Sequence, residues 1–205
     1  MSAIRLKAIP HFHSNVLAGI EYFLMNNSVA EASRYLKLYS NFTNHTLSGI
    51  DCPARSVAEE VEYTRIYLKL EQLRFGDRLK YEIKVSDDVD PQALLPTMLL
   101  YTYCQNAVKH GIGNKPEGGH IDVEVSLKDE WTVVKVTDDG VGRAAAAQRN
   151  TLSTKQGLRI LMEQIELYNL SNEKPISQKV TDLFDGEGQP AGTCYEMWVP
   201  VGYKF

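Results

Sequence analysis

The sequence is short of cysteine, of long apolar runs and of positive charge, and each shortage removes a class of protein. Its three cysteines, Cys52, Cys104 and Cys194, lie far apart in 205 residues and show no C-x-x-C spacing. That excludes a sequence-legible zinc site or disulfide framework and fits a reducing compartment. The formal net charge of −4 argues against a general electrostatic grip on nucleic acid and gives no membrane-surface signature. No apolar run approaches the roughly 18 residues of a membrane span, and no signal peptide is visible. There are no internal repeats, and low complexity is confined to Ala144–Ala147. What remains is an ordinary globular composition, 43% hydrophobic and 23% charged, with length for one large domain or one domain plus a helical appendage. The chain starts almost directly in helical sequence, as a fragment lacking an upstream part would.

The rest is organised around LLYTYCQNAVKHGIG, residues 99–113. It reads as a helix ending at glycine. Asn106, Lys109 and His110 fall at i, i+3 and i+4, so one face of the last turns carries an amide, an ammonium and an imidazole. That face suits a metal-bound polyphosphate, with an amide oxygen for Mg²⁺ and cationic donors for phosphate oxygens. A solvated helix end has the same composition.

Upstream, residues 4–25 carry an apolar stripe at Ile9, Phe12, Val16, Ile20 and Phe23. Pro10 either starts this helix or kinks it. His11 sits at the edge of the stripe, and Asn15, one turn on, can orient its ring. An exposed, oriented imidazole is a competent phosphoryl acceptor; a surface histidine without a role is the plain alternative. Ser28 and Glu31 read as a capping box opening a second helix with a stripe at Ala32, Leu36, Tyr39 and Phe42. A lone hairpin of two such helices buries too little, so the expectation is a homodimer through a four-helix bundle. After a linker at 49–55, Ser56 and Glu59 form another capping box, and residues 57–75 form a helix. Its two stripes, Val57, Val61, Leu68 and Tyr63, Tyr67, Leu70, mark it as sandwiched. Glu59, Glu60, Glu62 and Arg65 read as its solvated face. Alternation predicts strands at 79–85, 121–127, 131–137, 176–184 and 193–199, with a helix over 155–172. Residues 143–156 read as a mobile lid that closes on ligand, or as a plain surface loop. Hairpin-linked strands with helices between give an α+β class. The domain boundaries follow as 1–55, 56–76 and 77–205.

The strand from Trp131 ends in TDDGVGR, so Asp138, Gly140 and Gly142 form D-x-G-x-G. A carboxylate at a strand end can accept from an adenine amino group, and glycines let the backbone approach base and ribose. Such an anchor requires a cavity beside Asp138. The pattern is neither a dinucleotide G-x-G-x-x-G nor a Walker loop. Gln156-Gly157-Leu158 follows, where Gly157 can hinge the loop and open a helix whose amides face phosphate. Gly192-Thr193 begins the last strand, placing the Thr193 hydroxyl within water-mediated reach of the base.

In that order, over ~90 residues, QNAVKHG, D-x-G-x-G, Q-G-L and G-T resemble the GHKL (Bergerat) ATP-binding fold. Upstream, IPHFHSNVLAGI resembles the P-H-F-x-x-N-x-L segment of LytS-like sensor histidine kinases, and SVAEEVEYTRIYLKLEQLRFGDRLKYEI resembles the stretch joining their phosphoacceptor helices to their ATPase domain. The resemblance implies a helical hairpin that dimerises, followed by a GHKL α/β sandwich. It implies ATP and Mg²⁺, with Asn106 as metal ligand and Asp138 as adenine anchor, and Gly140, Gly142 and Gly157 as close-approach glycines. His11 becomes the phosphorylated histidine, and Lys109, His110, Lys155, Leu158 and Thr193 join the nucleotide site. It further implies a response regulator as partner, no nucleic acid, no membrane contact by this segment, and a cytoplasmic fragment of an inner-membrane sensor.

The sequence also departs from the family. Gln105 stands where a glutamate usually precedes the asparagine, and an amide cannot act as general base. Phe12 follows His11, so no carboxylate stands beside it. Ile9 replaces the usual Asn before Pro10, and Lys155 the usual first lid glycine. Two alternatives to an active kinase follow. One is a degenerate scaffold or phosphatase-biased domain that binds ATP without efficient autophosphorylation. The other is a GHKL ATPase acting on nucleic acid or client protein, which the His11 helix and the acidic balance oppose.

Overall fold

The computed structural model describes residues 10–49, 51–149 and 155–205. Within those spans the side chains at 10, 11, 110, 146–149, 155 and 156 lie outside the description.

Helix α1 (Pro10–Met25) begins at proline, the position where the missing N–H costs nothing. Helix α2 (Val29–Ser48) follows across a turn. Ser28 caps nothing with its side chain, so the expected capping box is absent; its hydroxyl turns back to the Asn26 carbonyl. The expected stripe is also shifted: Tyr35 is buried while Leu36 is 53% exposed, so the inner face runs Ala32, Tyr35 and Phe42, at spacings of three and seven.

The hairpin is not left bare within one protomer. Helix α3 (Val57–Phe75) covers it. Phe12 of α1 lies 4.9 Å from Phe42 and 5.4 Å from Tyr67, and Phe42 stacks on Tyr63 at 5.0 Å. These rings belong to one continuous core. The inner stripe therefore does not need a second copy. The outer face still carries Leu17, Tyr22, Leu24, Met25 and Val29, all more than half exposed.

Helix α3 starts where the sequence places it. The Ser56 hydroxyl accepts from the Glu59 N–H, and the Glu59 carboxylate accepts from the Ser56 N–H. Both of its stripes are buried, as a sandwiched helix requires. Glu60, read as solvated, is fully buried.

Two short strands escaped the sequence reading. β1 (Ala54–Ser56) pairs antiparallel with β3 (Leu94–Pro96), clamping the two segments that lead into α3 and into the next helix. Three residues are too few for alternation to register.

The main sheet has five strands: β2 (Leu79–Val85), β4 (Gly119–Lys128), β5 (Trp131–Asp138), β6 (Ser177–Phe184) and β7 (Pro190–Pro200). Their order is β2-β4-β5-β7-β6, with β2 and β4 parallel and the other pairs antiparallel. Ile121, Val123, Val125, Val134, Val136, Met197 and Val199 are all buried on it. Helix α4 (Leu99–Asn106) and helix α6 (Lys155–Asn169) join α3 around that apolar face. A helix α5 (Gly142–Arg149) precedes α6. The stretch expected to be an irregular lid is thus helical over its described first half; residues 150–154 lie outside the described residues.

Candidate functional site

The LLYTYCQNAVKHGIG segment does not form one regular helix. α4 ends at Asn106, a π-helical turn spans Ala107–Gly111, and a 3-10 turn spans Ile112–Asn114. A π turn bonds i to i+5, so the expected face built on i, i+3 and i+4 loses its register. Asn106 closes the α segment, whereas Lys109 is exposed on the widened turn. Partial burial holds the Lys109 ammonium below the usual lysine value. The His110 side chain lies outside the described residues.

Asn106 is half-buried, and its Nδ2 has no hydrogen-bond partner among the described residues. Leaving such a donor unpaired costs about 1–3 kcal/mol, and what it can take is an acceptor atom, not a metal ion. The amide oxygen is a ligand type that Mg²⁺ accepts, and Mg²⁺ commonly takes one or two protein oxygens and completes its shell with water and phosphate. No cluster of three His, Cys, Asp or Glu that could hold a metal occurs among the described residues.

Gln105, the neighbouring residue, is tied back along its own helix. Its Nε2 donates to the Tyr101 hydroxyl at 2.7 Å. Gly157, on the first turns of α6, faces Gln105 and Thr102; a β-carbon there would lie 3.8 Å from each. That is ordinary contact, so neither neighbour demands a glycine at 157. The two helices meet over a cavity of about 40 Å³ lined by Thr102, Gln105, Gly157 and Leu161. Leu158 packs on the core. Lys155 opens α6, its side chain outside the described residues.

Asp138 ends β5 and is 3% exposed. Its Oδ1 accepts from the Gly140 N–H at 2.9 Å, and the Thr193 N–H also supports the carboxylate. Burial nonetheless outweighs these bonds and pushes its pKa up to about 6. The cavity between α4 and α6 does not include Asp138. What lies against it is glycine backbone. A β-carbon on Gly111 would sit 2.5 Å from Oδ1, and one on Gly140 would overlap the Gly111 Cα. The end of the π turn and the D-x-G-x-G loop can approach this closely only as glycines. Gly111 was not singled out in the sequence, although its place inside QNAVKHG was available as a signal. Gly142 has φ +75°, the left-handed region that glycine enters freely, and it starts α5. Thr193 lies well inside β7, opposite Asp138 in register, rather than at the strand's start.

At the start of α5, Arg143 donates from Nε and Nη2 to the two carboxylate oxygens of Asp182 on β6, both at 2.7 Å. This bidentate pair anchors the start of α5 to the sheet edge. Across the molecule, His11 is the second residue of α1, and its side chain is outside the described residues. Asn15 is half-buried one turn on. His13, which the sequence reading passed over, pairs its Nδ1 with the Tyr39 hydroxyl of α2. Asn106, Gln105, Asp138, Gly140, Gly157 and Thr193 thus come from elements that meet at one end of the sheet. His11 and Asn15 belong to the hairpin on the far side of α3.

Residues 1–79 match the family described as Histidine kinase. A sensor protein LytS of Staphylococcus epidermidis is 29% identical over 142 residues, covering 69% of this chain and 24% of that protein. A sensor protein LytS of Enterococcus faecalis is 24% identical over 192 residues, covering 92% of this chain and 30% of that protein. The chain thus spans under a third of the curated relatives it matches. In structure it resembles the mycobacterial sensor histidine kinase MprB, with a TM-score of 0.51 at 16% identity over 74% of this chain and 98% of that one.

Proposed function

We propose that this chain, which resembles the LytS-like sensor histidine kinases along most of its length and has their α+β order of helices and sheet, binds Mg-ATP and phosphorylates its own His11. In this reading it acts as the cytoplasmic catalytic portion of a two-component sensor. It works as a homodimer and passes the phosphoryl group to an aspartate of a response regulator.

The observation that carries the reading is the pairing of Asn106, beside Gln105 at the end of α4, with Asp138, which packs against the glycine backbone at 111 and 140; the Asn106 Nδ2 is a donor without a partner among the described residues, open to a phosphate or ribose oxygen. Around it the chain's groups divide the work. The Asp138 carboxylate accepts from the adenine amino group once the Gly111 backbone moves off it. Asn106 offers its amide oxygen to the metal. The N–H groups at the start of α6 face phosphate. Bound magnesium would supply charge neutralisation on the β and γ phosphates. A nitrogen of the His11 imidazole bonds to the γ-phosphorus as the bond to the bridging oxygen breaks, leaving phosphohistidine and ADP. Gln105 cannot take a proton, so the ring attacks as the neutral imidazole, and positioning carries most of the rate. The exposed apolar residues of α1 and the start of α2 are the surface offered to a second protomer.

The test is incubation with γ-labelled ATP and Mg²⁺. The reading expects acid-labile, base-stable label that vanishes in His11→Gln. Retained ATP binding without any label would favour the scaffold reading. Steady hydrolysis with no phosphoprotein would favour the ATPase reading.

A further inference from the structure

Glu60 is a fully buried carboxylate on α3. Its Oε1 accepts from the Met98 N–H at 2.7 Å and its Oε2 from the Leu100 N–H at 3.2 Å. Those two donors are N–H groups at the start of α4 that have no partner within the helix and ordinarily need a local cap. The local position cannot supply one: Met98 is the N-cap, sits at φ +65°, and makes no side-chain cap bond. No acidic residue lies in the first turn of α4. The cap therefore comes from another element, 38 residues away in sequence for Met98. The negative charge meets the positive end of the α4 dipole.

A cap needed for local stability alone would be a Ser, Thr, Asp or Asn at the N-cap. Burying a carboxylate from a neighbouring helix instead is costly, and its added consequence is to fix one helix against another. A second hold acts midway along α4. The Tyr101 ring lies 5.3 Å from Tyr63 and 4.9 Å from Tyr67, both on α3. Its hydroxyl is the partner of the Gln105 amide.

We propose that Glu60 is a positioning residue: by gripping the first N–H groups of α4 it sets where that helix stands against α3, and so where Gln105 and Asn106 stand at its far end. The proposal rests on the nucleotide-site reading of Asn106 for its functional meaning.

The test measures ADP affinity of the full chain by calorimetry, with Mg²⁺ and with EDTA, in wild type, Glu60→Gln and Glu60→Ala. Circular dichroism at the same temperature establishes that each is folded. Glu60→Gln keeps the shape and one acceptor, and Glu60→Ala keeps neither. The expected result is that the gain in affinity from Mg²⁺ falls about fivefold in Glu60→Gln and at least about tenfold in Glu60→Ala, while the EDTA affinity stays within about twofold. Folded variants that keep the wild-type Mg²⁺ gain would overturn the proposal. If Glu60→Ala unfolds, Glu60→Gln decides. A wild type without any Mg²⁺ gain would instead defeat the nucleotide reading. The grip is then read from the Gln105 side-chain amide resonance, which must move in Glu60→Gln; an unmoved resonance overturns the positioning role.

Discussion

The side-chain amide of Gln105 donates to the hydroxyl of Tyr101, one turn earlier on α4, at 2.7 Å. The bond can run in reverse: a carboxylate at 105 would accept from the same hydroxyl without moving the helix. Gln105→Glu should therefore fold normally and raise the initial rate of His11 labelling about a hundredfold, the low side of what a positioned base contributes. An unchanged rate in a folded Gln105→Glu would mean that no base is needed here.

The close packing of Gly111 and Gly140 makes a second prediction. A β-carbon on Gly140 overlaps the Gly111 Cα and approaches the Asp138 carboxylate. Gly140→Ala should cost stability by about 1–3 kcal/mol, as overpacking does, and should abolish adenine-nucleotide binding. Urea unfolding together with nucleotide titration checks both. Wild-type affinity in Gly140→Ala would show that the loop is looser than its geometry implies.

Two buried carboxylates set the pH dependence of stability. Burial raises Glu60 from 4.5 to about 7 and Asp138 from 3.8 to about 6. Each binds its proton more tightly in the fold than in the unfolded chain. Their contribution is thus most favourable at or below the unfolded values, falls as pH climbs through the window from about 4 to about 7, and is level above it. The loss is roughly 3 kcal/mol for each group. The lowered carboxylates Glu59 and Asp182 act in the opposite direction, so the contribution is read from the difference: the melting temperature of Glu60→Gln relative to wild type should rise with pH across this window. Parallel curves for the two proteins would contradict the assignment.

The Arg143–Asp182 pair is half exposed, so its effect on global stability should be small, about 1 kcal/mol or less. Its consequence is local. Asp182→Asn should leave the melting temperature nearly unchanged and speed proteolysis within residues 143–156. A nonhydrolysable ATP analogue should slow that proteolysis in the wild type. Cleavage rates indifferent to both changes would remove any closing role from this segment.

Much of the fold could be read from the sequence because its signals were local. Ser56 and Glu59 lie three residues apart and cap one helix. The alternation of Ile121, Val123 and Val125 needs no partner to be recognised. Features that depend on distant partners could not be read. Glu60 looks solvated beside Glu59 and Glu62 until Met98 and Leu100, far along the chain, present their N–H groups to it. Tyr35 replaces Leu36 on the inner face because the rings of α3 decide which side of α2 is covered. The candidate site was legible as a set of motifs but not as a shape. The π turn breaks the spacing that joined Asn106, Lys109 and His110, and Gly111 acquires its importance only from Gly140 across the gap.

The central claim is that adenine nucleotide is held at Asp138 with its metal at Asn106. Calorimetric titration of wild type, Asp138→Asn and Asn106→Ala with an ATP analogue and Mg²⁺ tests it most directly. Saturable binding is expected in wild type and at least about tenfold weaker binding in Asp138→Asn, in line with the loss of a hydrogen bond to a charged group. Loss of the Mg²⁺ dependence is expected in Asn106→Ala. No heat of binding in the wild type, or equal affinity in all three proteins, would contradict it.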